Sequence, residues 1–128
     1  KECIAIGGCS PGEARITGGH NLKAKFIIHT PGPVYKNGNQ GEDALLNNSY
    51  WNSLLLAKKH GIRSLSFPAI STGVYGYPKV EACSIAIDTV CEFMDRQEYH
   101  LNVYFILFDN ESYDLYNNYA ATLRAKAL

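Results

Sequence analysis

The stretch that decides the fold is AISTGVYGYP, residues 69–78, which follows the short apolar run Leu65-Ser66-Phe67 and precedes a helical pattern from Lys79. A strand, a glycine-spaced loop and a helix start, in that order, aim backbone N–H groups at one point, where an anion can bind. Gly73 and Gly76 allow positive φ and a close approach of the backbone to a ligand. The lysine of a P-loop and the spacing of a dinucleotide fingerprint are both absent. The loop suggests a ligand that bears phosphate, but an ordinary strand-to-helix turn explains the glycine spacing equally well.

Length and charge narrow the class of protein. The 128 residues include 12 basic and 12 acidic side chains, so the net charge is zero. A neutral chain does not favour nucleic-acid or anionic-membrane binding driven by bulk electrostatics. The apolar stretches are too short to span a bilayer, and no signal-peptide pattern opens the sequence. We therefore expect one soluble domain over residues 1–128, located in the cytoplasm, with no membrane partner.

The cysteines form no recognisable framework. Cys3, Cys9, Cys83 and Cys91 contain no CxxC pair and have no histidine at zinc spacing. Cys83 and Cys91 are expected on the apolar face of one helix as small core residues. We favour reduced, metal-free thiols over a disulfide framework, because a chain of this size does not need such cross-links.

Hydrophobic periodicity predicts strands that alternate with helices. The expected strands are residues 14–17, 26–30, 64–68 and 101–108; the expected helices are 42–60, a second one from Pro78, and a last one after Asp109 and Asn110. The first helix should bury Leu46, Tyr50, Leu54 and Ala57, and the second should bury Val80, Cys83, Ile87, Val90, Cys91 and Met94. The run 101–108 reads as a strand covered on both faces. This alternation indicates an α/β fold with parallel strand pairs.

Two loops are expected at the same edge of the sheet. Ligands of such folds bind at the carboxyl ends of strands. The glycine loop follows one strand there, and the turn Phe108-Asp109-Asn110 follows another. In the first loop, Ser71 and Thr72 offer hydroxyl donors and Tyr75 offers an aromatic wall. The two loops could therefore form two walls of one cleft.

Together these segments resemble a macro domain, the ADP-ribose-binding module, and are most similar to its MacroD-type branch. The matching pieces cover nearly all of the chain: GCSPGEA at 8–14, FIIHTPGPVY at 26–35, residues 67–78, Gly41-Glu42-Asp43, and Phe108-Asp109. The resemblance implies a three-layer α/β/α fold around a mixed sheet.

The resemblance also assigns roles to individual residues. It implies that the loop of Ser71, Thr72, Gly73, Val74, Tyr75 and Gly76 wraps the diphosphate and the distal ribose. Tyr75 would pack beside that ribose and is the one residue given a catalytic role. Phe108 matches the aromatic residue on which adenine stacks, often a tyrosine in the family. Asp109 and Asn110 would lie beside the adenine, although capping of the following helix explains both equally well.

The implied activity is hydrolysis of O-acetyl-ADP-ribose or of mono-ADP-ribosylated carboxylates, with no metal or other cofactor. The partner would be ADP-ribose, or a small molecule or protein that carries it. A reader module that binds ADP-ribose without turnover is the alternative. A third, weaker possibility is a split scaffold whose missing strands come from a partner chain.

One departure from the family pattern concerns the start of the chain. Family members begin with strands that carry an adenine-binding Asp and an Asn-Ala-Ala-Asn string, followed by a glycine-rich loop with a catalytic Asp and a helix. This sequence opens with Lys1-Glu2-Cys3 and contains neither string nor loop. In the family, the strand with the Asn string lies between the equivalents of residues 26–30 and 64–68. A sheet without this middle strand would have two exposed strand edges and a cavity. We expect that the first part of the family pattern is missing or disordered here, rather than replaced by another segment.

Overall fold

Strands and helices alternate along the chain in a computed structural model, which describes residues 10–18, 26–73 and 75–127, with side chains to residue 123. The elements are β1 (Arg15–Gly18), β2 (Phe26–His29), α1 (Glu42–Lys59), β3 (Ser64–Pro68), α2 (Lys79–Gln97), β4 (Asn102–Ile106) and α3 (Asn110–Ala127). Each predicted element is therefore present, with ends that shift by a few residues. Cys3, Cys9 and Val74 lie outside the described residues.

Helix α1 has strong signals at both ends. Glu42 and Asp43 occupy its first turn and basic side chains its last, which suits the helix dipole. After the helix, Gly61 adopts a φ of 69°. Its N–H donates to the carbonyl of Lys58 at 3.1 Å, and the N–H of Ile62 donates to that of Ala57 at 2.8 Å. This pair of hydrogen bonds commonly ends a helix at a glycine.

The four strands form two separate pairs. β1 and β2 are antiparallel, whereas β3 and β4 are parallel, with Phe67 opposite Phe105. Among the described strands, no ladder joins β2 to β3. A cavity of about 250 Å³ separates the pairs, and its lining residues are Ile27, Ile28, Thr30, Ser53, Leu65, Ser66, Phe67, Pro68 and Ile70. The cavity therefore lies between residues of β2 and residues of β3.

The core lies between the β3–β4 pair and the helices. The predicted face of α1, formed by Leu46, Tyr50, Leu54 and Ala57, is buried. The Tyr50 ring meets Phe67 at 5.0 Å between centroids, and Phe105 meets Tyr116 of α3 at 5.1 Å. Aromatic pairs at such distances add to the free energy gained by burial alone. Both contacts involve the same face of the sheet.

The opposite face of β4 is open in the described part of the chain. Tyr104 and Ile106 are 54% and 49% exposed. The prediction of a strand covered on both faces is therefore wrong for these residues. The physical reason is that the helices described here pack on the side of Phe67 and Phe105, so alternate residues of β4 face away from them.

Helix α2 is rotated relative to the predicted stripe. Cys83, Ile87 and Val90 are buried as expected, but Val80 is 62% exposed and Cys91 is also exposed. Phe93 is buried instead, because its ring packs against Trp51 of α1 at 5.0 Å. Burial raises the pKa of the Cys83 thiol to about 11, which keeps it protonated at neutral pH. Within the described residues, no helix has the length and apolar character needed to cross a membrane.

Candidate ligand-binding site

The two loops predicted to form one cleft do lie at the same sheet edge. β3 and β4 run parallel, and their last residues, Pro68 and Ile106, are register partners. The glycine loop and the turn after β4 therefore leave the sheet side by side. An ion pair links the segments that follow them, because Lys79 Nζ lies 2.8 Å from Glu111 Oε1 and 3.5 Å from Asp109 Oδ2.

The glycine loop is closed by its own backbone. The N–H of Tyr77 donates to the carbonyl of Ser71 at 2.9 Å, and the N–H of Gly76 donates to that of Gly73 at 3.0 Å. The Gly76 amide is therefore already occupied. The N–H groups of Thr72, Gly73 and Tyr75, by contrast, have no acceptor among the described residues. Thr72 is half-buried, and Gly73 and Tyr75 are exposed, so these three N–H groups are open to a ligand from solvent and are the ones that an anion could satisfy.

The backbone conformations differ from those predicted for the loop. Gly76 has a φ of 74°, as expected, but the other left-handed residue among those described in the loop is Ser71, at 69°, and not Gly73. A non-glycine residue in this region is uncommon and is held there by its surroundings. The closing hydrogen bond from Tyr77 ends on Ser71, which explains why the chain turns at that residue.

Ser71 is fixed from a second side. Gly32 lies so close that a Cβ at that position would collide with Ser71 Oγ and Ile70 Cγ2. The Ser71 hydroxyl is inaccessible and has no hydrogen-bond partner in the part of the chain described. Glycine at position 32 thus permits close packing of the 31–35 segment against the loop.

Tyr75 combines a fixed backbone with an accessible ring. Its carbonyl accepts the N–H of Tyr35 at 2.9 Å, and its side chain is 44% exposed. The Tyr35 ring also packs on Tyr77, at 4.9 Å between centroids. Burial, followed by the nearby carboxylates of Asp43 and Glu81, raises the pKa of Tyr77 to about 12. Tyr77 therefore stays neutral, and Tyr75 is the aromatic side chain of the loop that a ligand could reach.

The turn after β4 presents one aromatic side chain and one cap. Phe108 is 87% exposed. Asp109 Oδ1 accepts the N–H of Ser112 at 2.7 Å, which is the geometry of a helix N-cap. That N–H, together with the Ser112 hydroxyl and Lys79, lowers the pKa of Asp109. Asp109 was expected either beside the adenine or as the cap of the following helix, and the structure shows it as the helix cap. Asn110 is exposed as the first residue of α3.

Glu42 is a residue of this region whose structural role the sequence reading missed. Its side chain is 1% exposed, and Oε2 accepts the N–H groups of Lys36, Asn37 and Gly38 at 2.9, 3.2 and 3.1 Å. Oε1 accepts the N–H of Gln40 at 2.7 Å. These N–H groups, that of Lys36 first, outweigh desolvation and lower the pKa of Glu42 to about 2. The available signal was an acidic residue directly after a polar loop with two glycines.

Comparison with known families identifies the fold. The Macro domain family model matches residues 1–86. The chain belongs to the Macro domain family. The macro domain resemblance inferred from the glycine loop and its neighbours is thus confirmed.

Macro domain relatives match most of the chain. An O-acetyl-ADP-ribose deacetylase of Escherichia fergusonii is 48% identical over 111 residues, which cover 87% of this chain and 63% of that protein. A solved Oceanobacillus iheyensis macrodomain with ADP is 40% identical, with a TM-score of 0.86, over 96% of this chain and 64% of the other. A Trypanosoma brucei macrodomain in complex with ADP-ribose is 36% identical, with a TM-score of 0.84, over 93% and 50%. This macro domain thus spans less than two thirds of each of these chains.

Proposed function

We propose that this macro domain binds ADP-ribose and hydrolyses ADP-ribosyl esters, with O-acetyl-ADP-ribose or mono-ADP-ribosylated carboxylates as substrates. The observation that carries the proposal is a set of backbone N–H groups in the glycine loop, at Thr72, Gly73 and Tyr75, that have no acceptor within the described part of the chain. Two kinds of similarity support it: relatives bear the name of the deacetylase, and structural neighbours hold ADP or ADP-ribose.

The diphosphate would bind to main-chain donors and not to a lysine. Lys79 stands at the start of α2, next to the loop, but its ammonium group is already paired with Glu111 and Asp109. These partners raise the pKa of Lys79, the Glu111 hydrogen bond most, so that its charge is present but compensated. The free N–H groups and the positive end of the α2 dipole remain to attract the two phosphates.

The ends of the ligand would meet the two exposed aromatic side chains. Phe108 offers a flat apolar face for adenine, without the hydroxyl of a tyrosine. Tyr75 would pack beside the distal ribose, fix its orientation and keep bulk water from that face. Phe108 is largely exposed and Tyr75 is 44% exposed, so each ring has surface that a ligand could reach.

The catalytic contribution of these residues would be positioning. Ester hydrolysis needs a water molecule aimed at the reacting carbon while the ribose is held still, and such alignment lowers the barrier substantially. The loop would also neutralise the charge of the diphosphate, whose own oxygens could hold the water. In the described residues, no cluster of three histidine, cysteine or acidic side chains could hold a metal ion.

A non-catalytic reader of ADP-ribose is the second candidate, and one observation favours it. The glycine loop, residues 69–78, contains no acidic residue that could activate water. A reader needs the same N–H groups and the same aromatic side chains, but no group that activates water.

One pair of measurements separates these functions. We expect calorimetry to detect ADP-ribose binding, and mass spectrometry to detect acetate and ADP-ribose released from O-acetyl-ADP-ribose. Binding without release would identify a reader. If neither binding nor release were detected, the assignment of the glycine loop as a diphosphate site would be overturned.

A further inference from the structure

We infer that Glu42 is a positioning residue for the ADP-ribose loop and acts through residues 36–40 and Tyr35. This inference rests on the proposed function for its ligand, but the mechanical link can be tested without one. A buried carboxylate at the first residue of a helix would ordinarily be explained as a helix-dipole contact. The hydrogen bonds of Glu42 point to a different role, because all four come from the loop that precedes the helix.

The loop 36–40 depends on this carboxylate for its shape. Every residue from Lys36 to Gln40 is exposed, so the segment contributes no side chain to the core. Hydrophobic burial therefore cannot order it. The other hydrogen bond recorded within the loop is local, from the N–H of Asn39 to the side chain of Asn37 at 2.8 Å. Without the Glu42 oxygens, four loop amides would have to find water instead.

The loop is mechanically coupled to the glycine loop through Tyr35. Tyr35 directly precedes the loop, and its N–H donates to the carbonyl of Tyr75 at 2.9 Å. Its hydroxyl lies beside Gly38, where an added Cβ would meet the Tyr35 oxygen at 2.9 Å. Its ring also packs on Tyr77. Both ends of the Tyr35 side chain and its backbone therefore connect the segment held by Glu42 to residues 75–77.

The variants Glu42→Gln and Asp43→Asn form a matched pair. Each removes one negative charge from the first turn of α1 and keeps the side-chain size. Asp43, however, is exposed, and the hydrogen bond that it accepts among the described residues comes from the adjacent N–H of Ala44, at 2.8 Å. If Glu42 acted only through the helix dipole, both substitutions would change amide exchange and ADP-ribose affinity alike. A positioning effect would change only Glu42→Gln, because the glutamine amide brings a donor where loop N–H groups need an acceptor.

Amide hydrogen exchange of the full chain without ligand tests the coupling. In Glu42→Gln, we expect exchange about tenfold faster at residues 36–40 and also at Tyr35 and Tyr77, with α2 and β3 unchanged. Asp43→Asn should match the wild type. Faster exchange confined to residues 36–40 would overturn the inference.

Calorimetry with ADP-ribose then tests the consequence for binding. The dissociation constant should rise about tenfold in Glu42→Gln and stay unchanged in Asp43→Asn. Equal affinity of both variants would also overturn the inference. If the wild type itself did not bind ADP-ribose, the proposed function would fail, while the exchange result would still decide the coupling. Should Glu42→Gln fail to fold, Gly38→Ala disturbs the same loop from outside the helix and should give the same pattern.

Discussion

Gly73 is the residue at which ligand binding and folding can be separated. Its backbone is not left-handed, and a Cβ there would meet no atom within 4 Å. Gly73→Val should therefore leave the free energy of unfolding unchanged while the new side chain fills the space of the diphosphate. We expect ADP-ribose binding to fall below detection in calorimetry, with the same urea midpoint as the wild type.

Gly76 is the natural contrast to Gly73. Its φ of 74° penalises any side chain, so Gly76→Val should lose about 1–2 kcal/mol of stability as well as binding. Normal affinity in Gly73→Val would show that the phosphates do not approach this loop.

Phe108 should contribute to affinity but not to the fold. Its ring is almost fully exposed, so Phe108→Ala removes little buried surface. If adenine stacks on it, affinity for ADP-ribose should weaken by about 1–3 kcal/mol. Ribose 5-phosphate, which has no adenine, should bind the wild type and Phe108→Ala with equal affinity. If calorimetric titration showed that Phe108→Ala loses the same affinity for ADP-ribose and for ribose 5-phosphate, Phe108 would not be the residue on which adenine stacks.

Glu42 should make stability depend on acid pH. Its pKa is lowered from the ordinary value of 4.5 to about 2, so the folded state favours the ionised carboxylate. This contribution is complete above pH 4.5 and is lost as the pH falls towards 2. In urea unfolding, the difference in free energy between wild type and Glu42→Gln should be constant near neutral pH and shrink over this range. A difference that is independent of pH would contradict the lowered pKa.

Residue-level features were the hardest to predict from the sequence. The glycine loop and its exposed Tyr75 were recognisable, because residue type and spacing limit what such a loop can do. The left-handed Ser71 was not, since it depends on Gly32 and on the hydrogen bond from Tyr77. The anchoring role of Glu42 also arises from the folded path of the chain, which periodicity does not encode.

Helix α1 offers the clearest test at the level of an element. Gly61 ends it with a φ of 69°, and an added Cβ would contact nothing. Gly61→Ala should therefore cost about 1–2 kcal/mol purely through backbone strain. Gly18→Ala is the control, because Gly18 also faces open space but has no positive φ. Urea unfolding of the two variants checks this, and equal stabilities would mean that the helix end relaxes.

The elements themselves were well predicted, for a physical reason. Local signals such as terminal glycines, acidic first turns and apolar periodicity act within a few residues, so they can be recognised from the sequence without the tertiary structure. The faces of α2 and β4 were less well predicted. Val80 and Cys91 of α2, and Tyr104 of β4, are apolar enough to read as core, but their exposure depends on which neighbours cover them.

At the scale of the whole molecule, the two strand pairs should differ in stability. β1 and β2 form a ribbon of their own, and such ribbons are marginal in isolation. The segment that leads into β1 is tied to α1 by a 2.8 Å hydrogen bond from Asn52 Nδ2 to the carbonyl of Gly12. The β3–β4 pair packs instead on the aromatic core. Native-state hydrogen exchange should show β2 opening at lower free energy than β3, and equal protection would show one cooperative unit.

The separation of the strand pairs also bears on how the protein behaves at high concentration. β3 bonds to β4 on one side only among the described strands, and β2 bonds only to β1. Unpaired amide and carbonyl groups along such borders can recruit strands from other molecules. Concentrated samples should therefore aggregate slowly and irreversibly on storage, starting at the strand edges that border the cavity between the pairs. Dilution, or a charged side chain introduced along β3, should delay this aggregation.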